Sequence, residues 1–124
     1  MAFIDNNGII NLYRGDCLQV PLFINIGTDE EPIRLDFNKF SNLDIEVYFG
    51  VYSKNCPFEH SFIRKKFTCL DANSLGDIIV KIDPQDTLCV IPGSYFYSVK
   101  LRMQDNIQGE FVSTVIDRNI FNII

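Results

Sequence analysis

The sequence predicts an all-β protein in which two sheets pack face to face, and three observations carry that prediction. Apolar and polar residues alternate with a period of two along most of the chain, which is typical of half-buried strands. Polar turn segments separate these runs, and only residues 36–41 offer a helical turn. Short strands without alternating helices favour a β-sandwich. The length of 124 residues predicts one domain spanning residues 1–124.

The alternation places the strands in chain order. The first long strand covers residues 18–26, and Pro21 assigns it to a sheet edge or a bulge because proline cannot donate a ladder hydrogen bond. Further strands are expected over residues 45–51, 61–68 and 78–82. Another begins at Gly93 and places one alternate set of side chains inward: Tyr95, Tyr97, Val99, Leu101 and Met103. A hairpin loop over residues 104–109 leads to strands over 111–116 and 120–124.

The segment from Asp83 to Tyr97 indicates the type of sandwich. Residues 83–87 favour a turn, and Gly93 allows the next strand to begin at a tight corner. In immunoglobulin-like sandwiches, a tyrosine near the start of the penultimate strand sends its hydroxyl back to the backbone a few residues upstream. We therefore expect an immunoglobulin-like antiparallel β-sandwich of about seven or eight strands, with a structural corner formed by Asp86, Thr87, Gly93, Tyr95 and Tyr97.

Charge and composition exclude several classes of partner. Lysine and arginine total 11 against 16 acidic residues, and the net charge of −5 argues against non-specific binding to nucleic acid or anionic membranes. The basic run Arg64-Lys65-Lys66 alternates between the two faces of a strand, which indicates a solvated strand. No secretory signal or apolar run of membrane-spanning length is visible, so we expect synthesis in the cytoplasm and no membrane partner.

No catalytic, cofactor or metal site is predicted. The four cysteines are widely spaced and one histidine accompanies them, which is poor spacing for zinc and favours free, buried or half-buried thiols. Cys56 and His60 invite a nucleophile-and-base interpretation, but no third orienting group accompanies them. Arg14-Gly15-Asp16 is interpreted as a glycine-centred turn. We expect a protein that is not an enzyme and needs no cofactor.

Taken together, several short motifs resemble the structural proteins of tailed phages. They are Tyr13-Arg14-Gly15-Asp16 before an apolar strand, Gly76-Asp77-Ile78 leading to residues 82–87, Gly93-x-Tyr95-x-Tyr97, Phe111-x-x-Thr114-Val115-Ile116 and Phe121-x-Ile123. This pattern is similar to the small immunoglobulin-like domain at the N-terminus of baseplate upper proteins, which is also met in head-fibre and capsid-decoration proteins. Baseplate upper proteins continue into further domains, so this shorter chain favours an adaptor or decoration subunit.

The resemblance implies a non-enzymatic virion protein that docks on capsid, head fibre or baseplate. Its expected partners are other virion proteins or copies of the same chain, and its expected locations are the host cytoplasm during assembly and then the virion. Sheet edges and apolar termini would supply the contacts. The candidate interface comprises Ile9, Ile10, Leu12, Ile120, Phe121, Ile123 and Ile124. We expect these apolar termini to pair with the sandwich itself or with neighbouring subunits. The alternative is a glycan-binding module that uses exposed aromatic residues such as Tyr48, Tyr52 or Phe58.

Overall fold

The structure is a computed structural model that describes residues 2–4, 8–22, 25–27, 30, 32–34, 36–39, 45–105 and 109–124. Its strands are β1 (Ala2–Ile4), β2 (Ile10–Leu12), β3 (Leu18–Leu22), β4 (Asn25–Gly27), β5 (Pro32–Arg34), β6 (Ile45–Tyr52), β7 (Ile63–Thr68), β8 (Ile78–Ile82), β9 (Gly93–Asp105) and β10 (Gly109–Ile123). One short helix, α1 (Pro84–Thr87), and three 3-10 turns, Phe37–Lys39, Phe58–His60 and Cys69–Asp71, connect them. The all-β prediction is confirmed.

The described residues form ten strands, more than the seven or eight expected. Two short strands at the N-terminal side, β1 and β2, have three residues each, too few for alternation to be recognised in the sequence. The predicted strand over 18–26 corresponds to β3 and β4, and its residues 23–24 lie outside the described residues. β5 pairs with β4 in a separate hairpin. Of the predicted helical turn, Phe37–Lys39 forms a 3-10 turn and residues 40–41 lie outside the described residues.

The larger sheet has six strands in the order β1-β2-β10-β9-β6-β7. β2 and β10 run parallel, with Ile10 opposite Phe121 and Leu12 opposite Ile123. This pair departs from the antiparallel sheet that the sequence predicts. The reason lies in the connections: β2 leads away to β3 in another sheet, so the space beside it is filled by β10, a strand that is distant in sequence. Long-range pairing of this kind leaves no local signal.

β3 and β8 form a second, two-stranded sheet with Leu18 opposite Ile82 and Leu22 opposite Ile78. Within the part of the chain that the structure describes, β8 is the only neighbour of β3, so Pro21 lies on an edge strand as predicted. A proline is tolerated there because a ladder hydrogen bond is not required on the open side.

The two sheets enclose one hydrophobic core. β6 and β8 contribute side chains that are 2% exposed or less, and these were predicted from the period of two: Ile45, Val47, Phe49, Val51, Ile78, Val80 and Ile82. β9 adds Tyr97, Val99 and Leu101, and the 3-10 turn before β6 adds Phe37. Full burial of each such side chain contributes roughly 1.5–3 kcal/mol. The six-stranded sheet therefore has an inner face against the core and an outer face away from it.

β9 and β10 form the long hairpin of this sheet, and residues 106–108 of the predicted loop lie outside the described residues. The register of β10 shifts between Thr114 and Ile116 and again between Ile116 and Asn119, so the strand is bulged there. Arg118 has a φ of 47°, which is uncommon for a residue other than glycine. Its N–H donates to Ser98 Oγ at 3.1 Å. The bulge places the Arg118 guanidinium 5.0 Å from the centre of the Phe96 ring on the outer face.

Candidate functional site

The predicted corner contains a capped helical turn. The Asp83 N–H donates to Asp86 Oδ2 at 2.8 Å, and Pro84 occupies the first turn, where its missing N–H costs nothing. Thr87 is fully buried, and its Oγ accepts the Gly15 N–H at 2.8 Å. Gly15 has a φ of 85°, so the Arg14-Gly15-Asp16 segment is a glycine turn held against α1. These contacts fix the loop before β3 to the helix before β9.

Tyr95 and Tyr97 both donate a hydrogen bond from their hydroxyls to a backbone carbonyl. The Tyr95 hydroxyl donates to the Ile91 carbonyl, four residues upstream, and Gly93 between them begins β9. The Tyr97 hydroxyl donates to the Gly8 carbonyl and so attaches the segment before β2. Tyr95 therefore makes the local contact and Tyr97 makes a long-range one.

Most of the predicted interface lies inside the protein, so pairing with the sandwich itself, one of the two alternatives expected for the apolar termini, is observed. Four of its residues are 2% exposed or less: Ile10, Leu12, Phe121 and Ile123. They are buried because the parallel pairing of β2 with β10 turns alternate side chains of both strands into the core. Ile9 and Ile120 are half-buried, and Ile124 is exposed. The apolar ends therefore serve mainly as core.

An apolar surface that includes Ile124 of the predicted interface lies at the end of the sandwich that carries the corner. Five large exposed side chains form this corner surface: Tyr13, Phe62, Leu88, Ile91 and Ile124. The Arg14 N–H donates to the Ile124 carbonyl at 3.0 Å, and a Cβ on Gly15 would lie 3.1 Å from Leu88 Cδ2, so the loop before β3, α1 and the end of β10 meet here. Phe62 packs edge-on against Tyr95 with 5.0 Å between ring centroids. Isolated apolar residues in loops have no periodicity, so the sequence does not single out Phe62, Leu88 or Ile91.

The outer face of the six-stranded sheet carries a basic cleft of about 530 Å³. The 3-10 turn Phe58–His60 forms one wall, and Gly50 on β6 lies beneath it. The other lining residues include Tyr48, Ser61, Arg64, Lys66 and Lys100. Gly50 is required by a close approach, because a Cβ there would lie 2.5 Å from Ser61 Oγ and 2.6 Å from Phe58 Cε2. The cleft is therefore shaped by the packing of this turn onto a strand glycine.

Cross-strand register gathers the cations of the cleft. Tyr48 lies opposite Lys66 of β7 and Lys100 of β9, and Gly50 lies opposite Arg64. The alternation predicted for the basic run is observed, since Lys65 reaches instead toward α1 and pairs with Asp86 at 2.7 Å. Lys100 was missed because its nearness to Arg64 and Lys66 depends on strand order. The matching alternation of Lys100 and Arg102 in β9 is the signal that could have indicated a basic face.

Glu46 organises the cations at one side of the cleft. Its carboxylate accepts from Arg102 Nε at 2.9 Å, accepts from the Tyr48 hydroxyl, and lies 3.2 Å from Lys66 Nζ. These contacts, led by the Arg102 hydrogen bond, lower the pKa of Glu46 from 4.5 to about 2. The hydrogen bond to Glu46 in turn raises the pKa of Tyr48. The carboxylate is therefore ionised wherever the protein is folded near neutral pH.

The three aromatic residues predicted to bind a glycan differ in accessibility. Tyr52 is 5% exposed, and its hydroxyl is 2.8 Å from Ser98 Oγ. Tyr48 and Phe58 are half-buried, and Lys100 Nζ lies 4.7 Å from the centre of the Phe58 ring. Tyr52 is therefore unavailable as a stacking surface. The Phe58 ring, which lines the cleft, has the Lys100 ammonium over its face.

All four cysteine thiols are free, and Cys17, Cys56 and Cys89 are exposed, whereas burial or half-burial was expected. They lie in turns and loops instead of the strand interiors where small apolar residues are buried. His60 is exposed on the 3-10 turn beside the cleft, and no described hydrogen bond joins it to Cys56. Among the described residues, no three or more histidine, cysteine, aspartate or glutamate side chains form a group that could hold a metal ion.

In the same part of the chain, no helix has the length and apolar character needed to cross a membrane. Comparison with known proteins gives no matching family model, no matching curated protein and no matching solved structure.

Proposed function

We propose that this chain is an immunoglobulin-like docking module of a tailed-phage virion and acts without catalysis. The strand arrangement and one tyrosine contact support the immunoglobulin-like assignment. β3 and β8 pair in one sheet, β6, β9 and β10 adjoin in the other, and the chain passes from one sheet to the other between β2 and β3 and between β8 and β9. The Tyr95 hydroxyl reaches back four residues from the start of the penultimate strand. The phage setting rests on the motif resemblance.

The corner surface is the observation that carries the docking proposal. Ile91 is 78% exposed and Leu88 is 55% exposed, and both lie on the rigid corner held by α1 and Tyr95. Exposed apolar side chains on a preorganised element are typical of a protein contact, because their burial gains hydrophobic free energy with little ordering cost. The partner that fits this surface is an apolar patch on another virion protein or on a second copy of the chain.

The glycan-binding alternative is weaker as the main function because burial removes Tyr52 from the surface. A stacking site needs an open ring face, and the Phe58 ring already has Lys100 over it. The corner surface, in contrast, presents several apolar side chains together. Docking is therefore the function that we propose.

The test uses purified particles of the parent phage, in which the chain should occupy symmetric positions on head or tail. Phage carrying Ile91→Asp or Leu88→Asp should incorporate at least about tenfold less of it, as expected for central interface residues. Leu70→Asp and Leu75→Asp are matched controls, because these side chains are 77% and 73% exposed and lie beyond the opposite end of β7. Absence of the wild-type chain from particles, or equal incorporation of all four variants, would contradict the proposal.

A further inference from the structure

We propose that the cleft lined by Tyr48, Phe58, Arg64, Lys66 and Lys100 binds an oxyanion carried by a compact organic ligand, of which an acidic saccharide of one or two rings is the best fit. The site lies on the outer face of the six-stranded sheet and uses none of the corner surface. The proposal is therefore independent of docking.

Charge distribution is the first argument. The whole chain has a net charge of −5, yet six cations lie on or over the outer face: Lys54, Arg64, Lys66, Lys100, Arg102 and Arg118. Among the described side chains there, only Glu46 and Glu59 carry negative charge. A concentration of cations on an otherwise acidic protein costs electrostatic free energy, and binding an anion relieves it.

The second argument is that the cations are held in place. Lys100 lies over the Phe58 ring, and Lys54 and Arg118 lie 5.8 Å and 5.0 Å from the centre of the Phe96 ring. Arg64 donates through Nε to the Ser61 carbonyl at 3.0 Å. Aromatic faces and backbone carbonyls reduce the freedom of these long side chains, so less entropy is lost when they bind a ligand.

Lys100 has the most capacity to bind an anion. Glu46 compensates Lys66 and Arg102, and Asp86 compensates Lys65. Within the described residues, no carboxylate lies at ion-pair distance from Lys100 or Arg64. An incoming carboxylate, sulfate or phosphate would therefore find two uncompensated cations facing the same cleft.

The size and position of the cleft favour a compact ligand over a polymer. A volume of about 530 Å³ is within the range of small-molecule sites. The central floor strand β6 pairs with β7 on one side and with β9 on the other, so its backbone groups are used in the ladder and an extended peptide could not add a strand to β6. Cations already cover the Phe58 and Phe96 rings, which disfavours stacking of nucleic-acid bases.

The experiment measures binding by chemical-shift perturbation of the folded chain at low salt. The probes are a glucuronic acid-containing disaccharide, a neutral disaccharide of equal size, inorganic phosphate, an acidic peptide and a single-stranded oligonucleotide. We expect the acidic disaccharide to bind saturably, with shifts at Gly50, Ser61 and Lys100, and to bind more tightly than the neutral one. Weaker saturable binding of phosphate at the same residues supports the oxyanion chemistry.

Lys100→Met keeps the aliphatic stem and should weaken acidic-disaccharide binding about tenfold or more, as expected for loss of a charge-assisted contact. Lys66→Met should weaken disaccharide binding less, because Glu46 already compensates the Lys66 charge. If Lys100→Met does not fold, Lys66→Met is the variant that tests the proposal. Lys81→Met removes an exposed charge on β8 and should leave binding unchanged. Equal binding of the neutral disaccharide, an unchanged Kd in Lys100→Met, tighter binding of the peptide or oligonucleotide, or no saturable binding would each overturn the proposal.

Discussion

At the scale of single residues, the two tyrosines near the start of β9 use their hydroxyls for different contacts. Tyr95 holds a carbonyl four residues away, whereas Tyr97 holds the Gly8 carbonyl across the structure and is 5% exposed. Tyr95→Phe should lower the free energy of unfolding by about 0.5–1.5 kcal/mol, the usual net value of one hydrogen bond. Tyr97→Phe should lower the free energy of unfolding by more, because the Gly8 carbonyl would be left without its donor in a place that is less accessible to water.

Urea denaturation of both variants checks this order. Phe variants that both match the wild-type free energy of unfolding would remove the corner assignment. A larger loss in Tyr95→Phe than in Tyr97→Phe would show that the local contact is the stronger one.

Glu46 makes stability depend on pH at the acid end. Its pKa in the folded protein is about 2, below its ordinary value of 4.5, so the folded state favours the ionised form. The resulting stabilisation is fully present above about pH 4.5 and is lost as the pH falls toward 2. The free energy of unfolding of wild type should therefore converge on that of Glu46→Gln over this interval, measured by urea denaturation at a series of pH values. A constant difference between the two proteins at all pH values would contradict this assignment.

At the scale of elements, Gly50 determines how closely the turn Phe58–His60 approaches β6. Gly50→Ala should lower the free energy of unfolding by about 1–3 kcal/mol, because the new Cβ forces Phe58 and Ser61 to move. Gly93→Ala is a matched control at the start of β9, where the nearest neighbouring atom would be 3.9 Å away, so it should stay within about 0.5 kcal/mol of wild type. Thermal or urea unfolding compares them, and equal stability would show that the close approach has no energetic role.

The strands and the cleft they form differ in how much of them the sequence could predict. The inward residues of β6, β8 and β9 follow from the period of two, because that pattern is a property of each strand alone. The cleft does not follow, since it requires knowing that Lys100 of β9 lies beside Tyr48 of β6 and not beside another strand. The packing of the whole chain decides which strands pair, and no local sequence pattern indicates those pairs.

At the scale of the whole molecule, the pairing of the second strand with the last strand explains where the apolar termini lie. Apolar residues near both chain ends predicted pairing either with the sandwich or with neighbouring subunits, and β2 and β10 pair with each other and bury Leu12 and Phe121 completely. A periodic apolar segment can be covered by a partner or by the chain itself, and the pattern is the same in both cases. The exposed apolar side chains occur instead where the chain leaves its strands, at Leu88 and Ile91.

The arrangement of β1, β2 and β10 also sets the response of the protein to mechanical load. Ala2 pairs with Leu12, and Leu12 pairs with Ile123, so the start of β1 and the end of β10 lie at the same level on either side of β2, about 10 Å apart at the usual strand spacing. A force that pulls Ala2 and Ile124 apart acts perpendicular to the strands. It therefore breaks the backbone hydrogen bonds of β1 and β2 one after another instead of all at once. Tension applied through the chain ends would therefore open the sheet at low force, whereas compression across the two sheets would be resisted by the entire core.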